Sequence, residues 1–266
     1  MLPRSIDLGP VSIHLYGLII ATAIYIGWHL AKKRAHLHQI STKIFDDPIL
    51  LIPLVLSIIG ARFYHVADNW QIYSTDPVTI LYIANGGLGI WGALLGLFLG
   101  FAIVARVRKI DLLSTLDLAA PSILLGQAIG RFGNYINQEG FGPPTNAPWG
   151  VFIEKQYRPA EFLSSAHFHP TFFYEAVLDF IFVLILLKIA PNLKKKGQVF
   201  ALYLIFYSVS RFISEFWRID TWTVGEVKIA HLLSIAAFLI GIYLFINLKT
   251  IKKTYSPKVS NGVDIN

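Results

Sequence analysis

Runs of about 20 residues with hardly a charge recur along the whole chain, each long enough to cross a hydrocarbon core of about 30 Å as a helix. A segment in lipid must satisfy its own backbone hydrogen bonds, and a helix does so within itself. Seven such runs stand out, approximately His14 to Ala31, Ile49 to Val66, Leu88 to Ala105, Leu112 to Tyr135, Pro170 to Ala190, Val199 to Trp217 and Ile229 to Leu248. With 55% hydrophobic and only 15% charged residues over 266 positions, the chain is too oily for a soluble domain. The expectation is an all-α integral membrane protein built as a bundle of seven transmembrane helices.

Basic residues in short loops stay on the cytoplasmic side, so their distribution orients the bundle. Lys32, Lys33, Arg34 and Lys43 follow the first run, Arg106, Arg108 and Lys109 the third, Lys188, Lys194, Lys195 and Lys196 the fifth, and Lys249, Lys252, Lys253 and Lys258 the last. The opposite side carries only Arg4, Lys155, Arg158, Arg218 and Lys228. The amino terminus is therefore expected outside and the carboxyl terminus in the cytoplasm. The net charge of +7 follows from this topology and from anionic headgroups, with no nucleic acid as partner. One basic residue precedes the first run, with no small-residue cleavage site, so that run reads as a retained span.

Residues 1–253 read as one transmembrane domain without repeats, and 254–266 as a flexible polar tail. An outer loop from about 138 to 169 mixes prolines and glycines with Trp149, Phe152, Tyr157, Phe162 and Phe168, too aromatic for disorder, and is expected to pack at the interface. Gly92, Gly96 and Gly100 in the third run have the spacing of a close helix-packing face. The chain has no cysteine, which excludes disulfides, thiolate metal sites and a cysteine nucleophile; any thiol in the chemistry belongs to a partner. No histidine pair has metal-site spacing, so neither a metal nor another cofactor is expected.

Ionisable residues inside such runs are costly and point to function. Arg62, Arg131 and Arg211 fall in the outer halves of their helices, with Glu175 and Glu215 at similar depth. Snorkelling to the headgroups, or a self-neutralising Arg211–Glu215 pair at i, i+4, is the structural alternative. Three arginines beside two amides, Asn134 and Asn137, are more simply explained by one shared anion, and the planar guanidinium fork suits a phospholipid phosphate. Tyr16 either joins the interfacial aromatic belt or points into that layer. His169 opens the fifth run in HPTFFYE, as a helix cap or as a base.

The segment GRFGNYINQEGFG from Gly130 resembles the signature of the prolipoprotein diacylglyceryl transferases of the bacterial inner membrane. Tyr16-Gly17, GARFY from Gly60, GGLGIWGALLG from Gly86, HPTFFYE from His169 and SRFISEFWR from Ser210 extend the resemblance in order and spacing over nearly the whole chain. It implies seven spans with the amino terminus outside, and transfer of diacylglyceryl from phosphatidylglycerol to the lipobox cysteine of a prolipoprotein signal peptide, releasing glycerol phosphate. By motif match, Arg131 and Arg211 are candidates for holding the phosphate, with Asn134, Asn137 and Glu139 orienting headgroup and loop. Glu215 would hold Arg211, Tyr16 would contact lipid, and Arg62 and Glu175 would complete the substrate layer. Some family members carry a histidine in the third run where this chain has Trp91, which cannot accept a proton. Trp91 is left to line the cavity, and His169 and Glu139 are the candidates for acting on the thiol. His231 stands where the family usually has glutamine.

Two other classes fit less well. A transporter for an anionic solute would place charges near the midplane and often duplicate its halves. An intramembrane protease would show a GxSG-like serine or paired aspartates, and none stands out.

Overall fold

The computed structural model describes residues 3–9, 11–83 and 86–248. The basic residues Lys249, Lys252, Lys253 and Lys258 and the expected tail lie outside them. Eight α-helices occur among the described residues: α1 (Leu15–Arg34), α2 (Leu51–Asp68), the single turn α3 (Trp70–Tyr73), α4 (Ile90–Val107), α5 (Leu112–Asn137), α6 (Thr171–Ile189), α7 (Gln198–Glu215) and α8 (Ile229–Asn247). Apart from α3, each overlaps one apolar run. Among the described residues, five spans are long and apolar enough to cross a membrane: Leu15–His38, Pro48–Asp68, Ile90–Val107, Leu112–Asn137 and Ile229–Asn247. The remaining two long helices carry the charges, Glu175, Asp179 and Lys188 on α6 and Arg211 and Glu215 on α7. Together with Arg131 of α5, they supply the charges of the site.

Among the described residues, three antiparallel hairpins gather at one end of the bundle. They are β1 (Ser5–Leu8) with β2 (Val11–His14), β3 (Val151–Phe152) with β4 (His167–Phe168), and β5 (Thr223–Val224) with β6 (Val227–Lys228). They adjoin the start of α1, the α5–α6 junction and the α7–α8 junction. The segment between α5 and α6 packs on a core of Phe141, Ile153, Phe168 and Phe172, with Tyr157 and Phe162 against it.

In the bundle, α1 packs on α5, α5 on α6 and α7, and α7 on α8. At the end away from the hairpins, buried Asp117 of α5 accepts hydrogen bonds from the backbone N–H of Gly197 (2.6 Å) and Phe200 (2.8 Å). It thereby supplies the acceptors that the first turn of α7 lacks. Helices α2 and α4 form a separate tight pair. A Cβ on Gly92 would come within 1.9 Å of the Gly60 carbonyl oxygen, one on Gly96 within 2.0 Å of Leu56 O, and one on Gly100 within 2.3 Å of Pro53 Cα. The glycine spacing thus makes a seam where two backbones touch.

Candidate active site

Glu175, in the second turn of α6 and 0% exposed, accepts hydrogen bonds from two arginines on different helices: Arg131 Nη2 of α5 at 2.5 Å and Arg211 Nη1 of α7 at 3.2 Å. Arg211 Nη2 also lies 2.7 Å from Glu215 Oε2, one turn along α7. The other oxygen of Glu215, itself fully buried, accepts the Thr221 hydroxyl. One carboxylate between two guanidinium groups overcomes their mutual repulsion, and charge-assisted bonds of this kind are the strong ones. Glu175 and Glu215 therefore position arginines from within the protein and present no free face to a ligand. Asp179 lies one turn beyond Glu175 on α6, also 0% exposed, and neither of its carboxylate oxygens has a hydrogen-bond partner among the described residues.

Arg131 faces a cavity of about 510 Å³ that runs between α1, α4 and α5. Tyr16, Arg131, Asn134 and Tyr207 line its polar end, and the rest of its wall is nearly all apolar. Gly133 admits the Tyr16 ring, since a Cβ there would sit 2.4 Å from Tyr16 Cδ2. Tyr16 and Ile24 of α1 and Ile90 and Leu94 of α4 line the cavity and are also exposed, so it opens sideways between those helices.

Beyond α5 the chain turns through Gln138 (φ 55°) and Gly140 (φ 69°), bringing exposed Glu139 back over the helix end. Glu139 Oε1 accepts from Asn137 Nδ2 at 3.1 Å and Asn134 Nδ2 at 3.4 Å. Arg4 Nη2 donates to the Asn137 carbonyl (2.5 Å), and Thr171 Oγ1 donates to the Gly140 carbonyl (2.5 Å). The Gly140 N–H donates to Asp220 Oδ2 at 2.6 Å, and Arg218 pairs with the same carboxylate at 3.2 Å. Lys228 Nζ donates to the carbonyls of Glu215 (2.6 Å) and Arg218 (2.7 Å) at the end of α7. The α7–α8 connection thus ties the signature loop to the helix that bears Arg211.

The structure brings together Arg131, Arg211, Glu175 and Glu215, and places Asn134 and Tyr16 beside Arg131 at the mouth of the cavity. Arg62 requires a correction, because it does not join them. Its Nε donates to Ile80 O (2.8 Å), Nη1 to Gly86 O (2.8 Å) and Gly87 O (2.9 Å), and Nη2 to Thr79 O (2.6 Å). The side chain also lies over the Tyr73 ring at 5.0 Å. These carbonyls absorb the cation, so Arg62 organises the loop before α4 and has little left for a lipid. Trp91 is 42% exposed on α4 and does not line the cavity. His169 also lies outside the cavity wall; its Nδ1 is 3.0 Å from the Tyr174 hydroxyl, which accepts from Trp149 Nε1 at 2.9 Å. His231 packs between the rings of Phe212 and Phe216.

Several participants were not singled out from the sequence. Tyr207 and Asp179 each stand four residues from a residue that was, Arg211 and Glu175, so helical spacing was an available signal. Asp220, Thr221, Arg218 and Arg4 act from loops, where spacing carries no such signal.

The family model described as Prolipoprotein diacylglyceryl transferase matches residues 3–247. Among curated relatives, the phosphatidylglycerol–prolipoprotein diacylglyceryl transferase of Nostoc sp. is 38% identical, over 90% of this chain and 87% of its own. The proteins of the same name from Synechococcus elongatus and Clostridium novyi are 38% and 35% identical, covering 98% and 96% of this chain and 92% and 99% of theirs.

Proposed function

Because the chain belongs to the prolipoprotein diacylglyceryl transferase family, we propose that it transfers diacylglyceryl from phosphatidylglycerol to the lipobox cysteine thiol of secreted prolipoproteins in the bacterial cytoplasmic membrane. The reading includes seven transmembrane helices, an outside amino terminus and a cytoplasmic carboxyl terminus. The observation that carries it is the cavity: an apolar body open to the side, with Arg131 and Asn134 at one end, has the polarity of a phospholipid.

Phosphatidylglycerol enters between α1 and α4 with its phosphate at Arg131. Glu175 takes Nη2 of Arg131 and Nε is buried, while Nη1, which makes no hydrogen bond among the described residues, is left for a phosphate oxygen. Arg211, held by Glu175 and Glu215, keeps Glu175 neutralised from behind, so that Arg131 is oriented without having its charge fully consumed. The thiol sulfur attacks the glycerol carbon that bears the phosphate. A sulfur–carbon bond forms as the carbon–oxygen bond breaks, and the electron pair leaves with glycerol phosphate. Arg131 stabilises that departing charge in a site shielded from water. Glu139, exposed and accepting from the Asn134 and Asn137 amides, takes the thiol proton in this reading.

The direct test incubates the purified protein with a lipobox peptide and phosphatidylglycerol vesicles and follows the peptide by mass spectrometry. A thioether-linked diacylglyceryl product is expected. An unmodified peptide, with the protein folded, would overturn the reading.

A further inference from the structure

The same cavity has two unlike ends. Near Arg131 it opens between exposed side chains of α1 and α4, whereas at the far end it is closed by Ile40 (7% exposed), Phe45 (7%), Val104 (1%) and Leu118 (6%). Its wall follows α5 from Asn134 to Thr115, which at helical rise is about 28 Å. One leaflet supplies only about half of a hydrocarbon core of about 30 Å. The cavity therefore continues well past the depth at which a lipid chain anchored at Arg131 would meet the opposing leaflet, and then stops at a wall.

Val104 of α4 and Leu118 of α5 form part of that wall, and the rest comes from Ile40 and Phe45 in the connection between α1 and α2. Phe45 sits on the short helical turn Thr42–Asp46, which Ser41 caps through the Lys43 N–H and which Lys32 of α1 holds through Asp46 at 2.7 Å. Its ring meets Trp28 of α1 edge-on, with centroids 5.3 Å apart and planes at 89°. Ile40 and Leu118 pack around the pair in a buried cluster with Ala35.

Resting on the function proposed above, we infer that the Trp28–Phe45 pair is the floor of the acyl-chain channel and sets the longest chain the enzyme accepts from its phospholipid donor. A chain that reaches the floor has its end surrounded by Trp28, Ile40, Phe45, Val104 and Leu118. A longer one has to fold back or lift the phosphate from Arg131. Each methylene beyond the fit is worth about tenfold in discrimination, or more, in a hydrophobic pocket.

The test measures transfer to a lipobox peptide from a series of phosphatidylglycerols with saturated chains, dimyristoyl to diarachidoyl, and compares rates within each variant so that differences in yield cancel. Phe45→Ala is expected to raise the diarachidoyl-to-dipalmitoyl rate ratio by about tenfold over the unaltered protein. Phe45→Leu removes less volume and serves if the alanine variant fails to fold, with a smaller shift in the same direction. Val104→Phe, which adds volume to the same end wall, should move the preference toward shorter chains. Unchanged length profiles in folded, active variants would overturn the inference while leaving the proposed reaction intact. Absence of transfer from every donor by the unaltered protein would instead sink the reaction itself.

Discussion

At the residue scale, the site turns on how each arginine's hydrogen-bonding capacity is used. Arg131 and Arg62 are both guanidinium groups in apolar runs, yet Arg62 makes four hydrogen bonds to backbone carbonyls while Arg131 shares a carboxylate and lines the cavity. If Arg131 holds the phosphate through a planar fork, Arg131→Ala and Arg131→Lys should both lose transfer by about 10²–10³-fold, measured as kcat on the peptide assay with the protein still inserted. Near-normal turnover of the lysine variant would mean that only the charge matters there. Glu175→Gln leaves two guanidinium groups facing each other without a carboxylate between them. Losing one partner of a buried ion pair costs about 3–5 kcal/mol, and the partial exposure of both arginines lowers that to about 2–3 kcal/mol, read as a fall in unfolding temperature in detergent. The residue types of this cluster were visible in the sequence, because charges in apolar runs stand out. What each one touches was not, since a carbonyl acceptor belongs to any residue and leaves no mark in the side-chain pattern.

At the element scale, the α2–α4 pair shows a sequence signal with a direct structural meaning. Three glycines at four-residue spacing let the backbones meet, and the expected packing face is there. Gly96→Val would drive a branched side chain into the Leu56 carbonyl, which a Cβ alone already approaches to 2.0 Å. The pair should be forced apart at a cost of about 1–3 kcal/mol, seen as a lower unfolding temperature and weaker transfer. The α7–α8 connection is the opposite case. Nothing in its composition announces that Asp220 receives the Gly140 N–H from the signature loop 80 positions earlier. Asp220→Ala should leave that donor without its acceptor and lower kcat more than it raises the apparent KM for phosphatidylglycerol. Equal effects on both would assign the contact to general stability.

At the scale of the whole molecule, helices carrying long apolar faces surround a core in which carboxylates and arginines meet. The lysine and arginine distribution makes an orientation that can be checked, because the chain has no cysteine of its own. A single cysteine at Ser164 should react with a membrane-impermeant maleimide in intact cells, and one at Lys195 only after the membrane is opened; the reverse pattern would invert the topology. Helix positions were legible because the hydrocarbon thickness sets the length of each apolar run, and the family was legible because its motifs are contiguous. The sequence by itself thus determined a helical membrane protein of this family, with charges clustered in the same few helices. Only the tertiary structure decided that Arg131 lines the cavity while Arg62 is bound to a loop, that Glu175 joins two helices, and that a turn outside the apolar runs closes the channel with Phe45. Those outcomes depend on which distant segments meet, and burial leaves each charge only the partners that packing brings within reach.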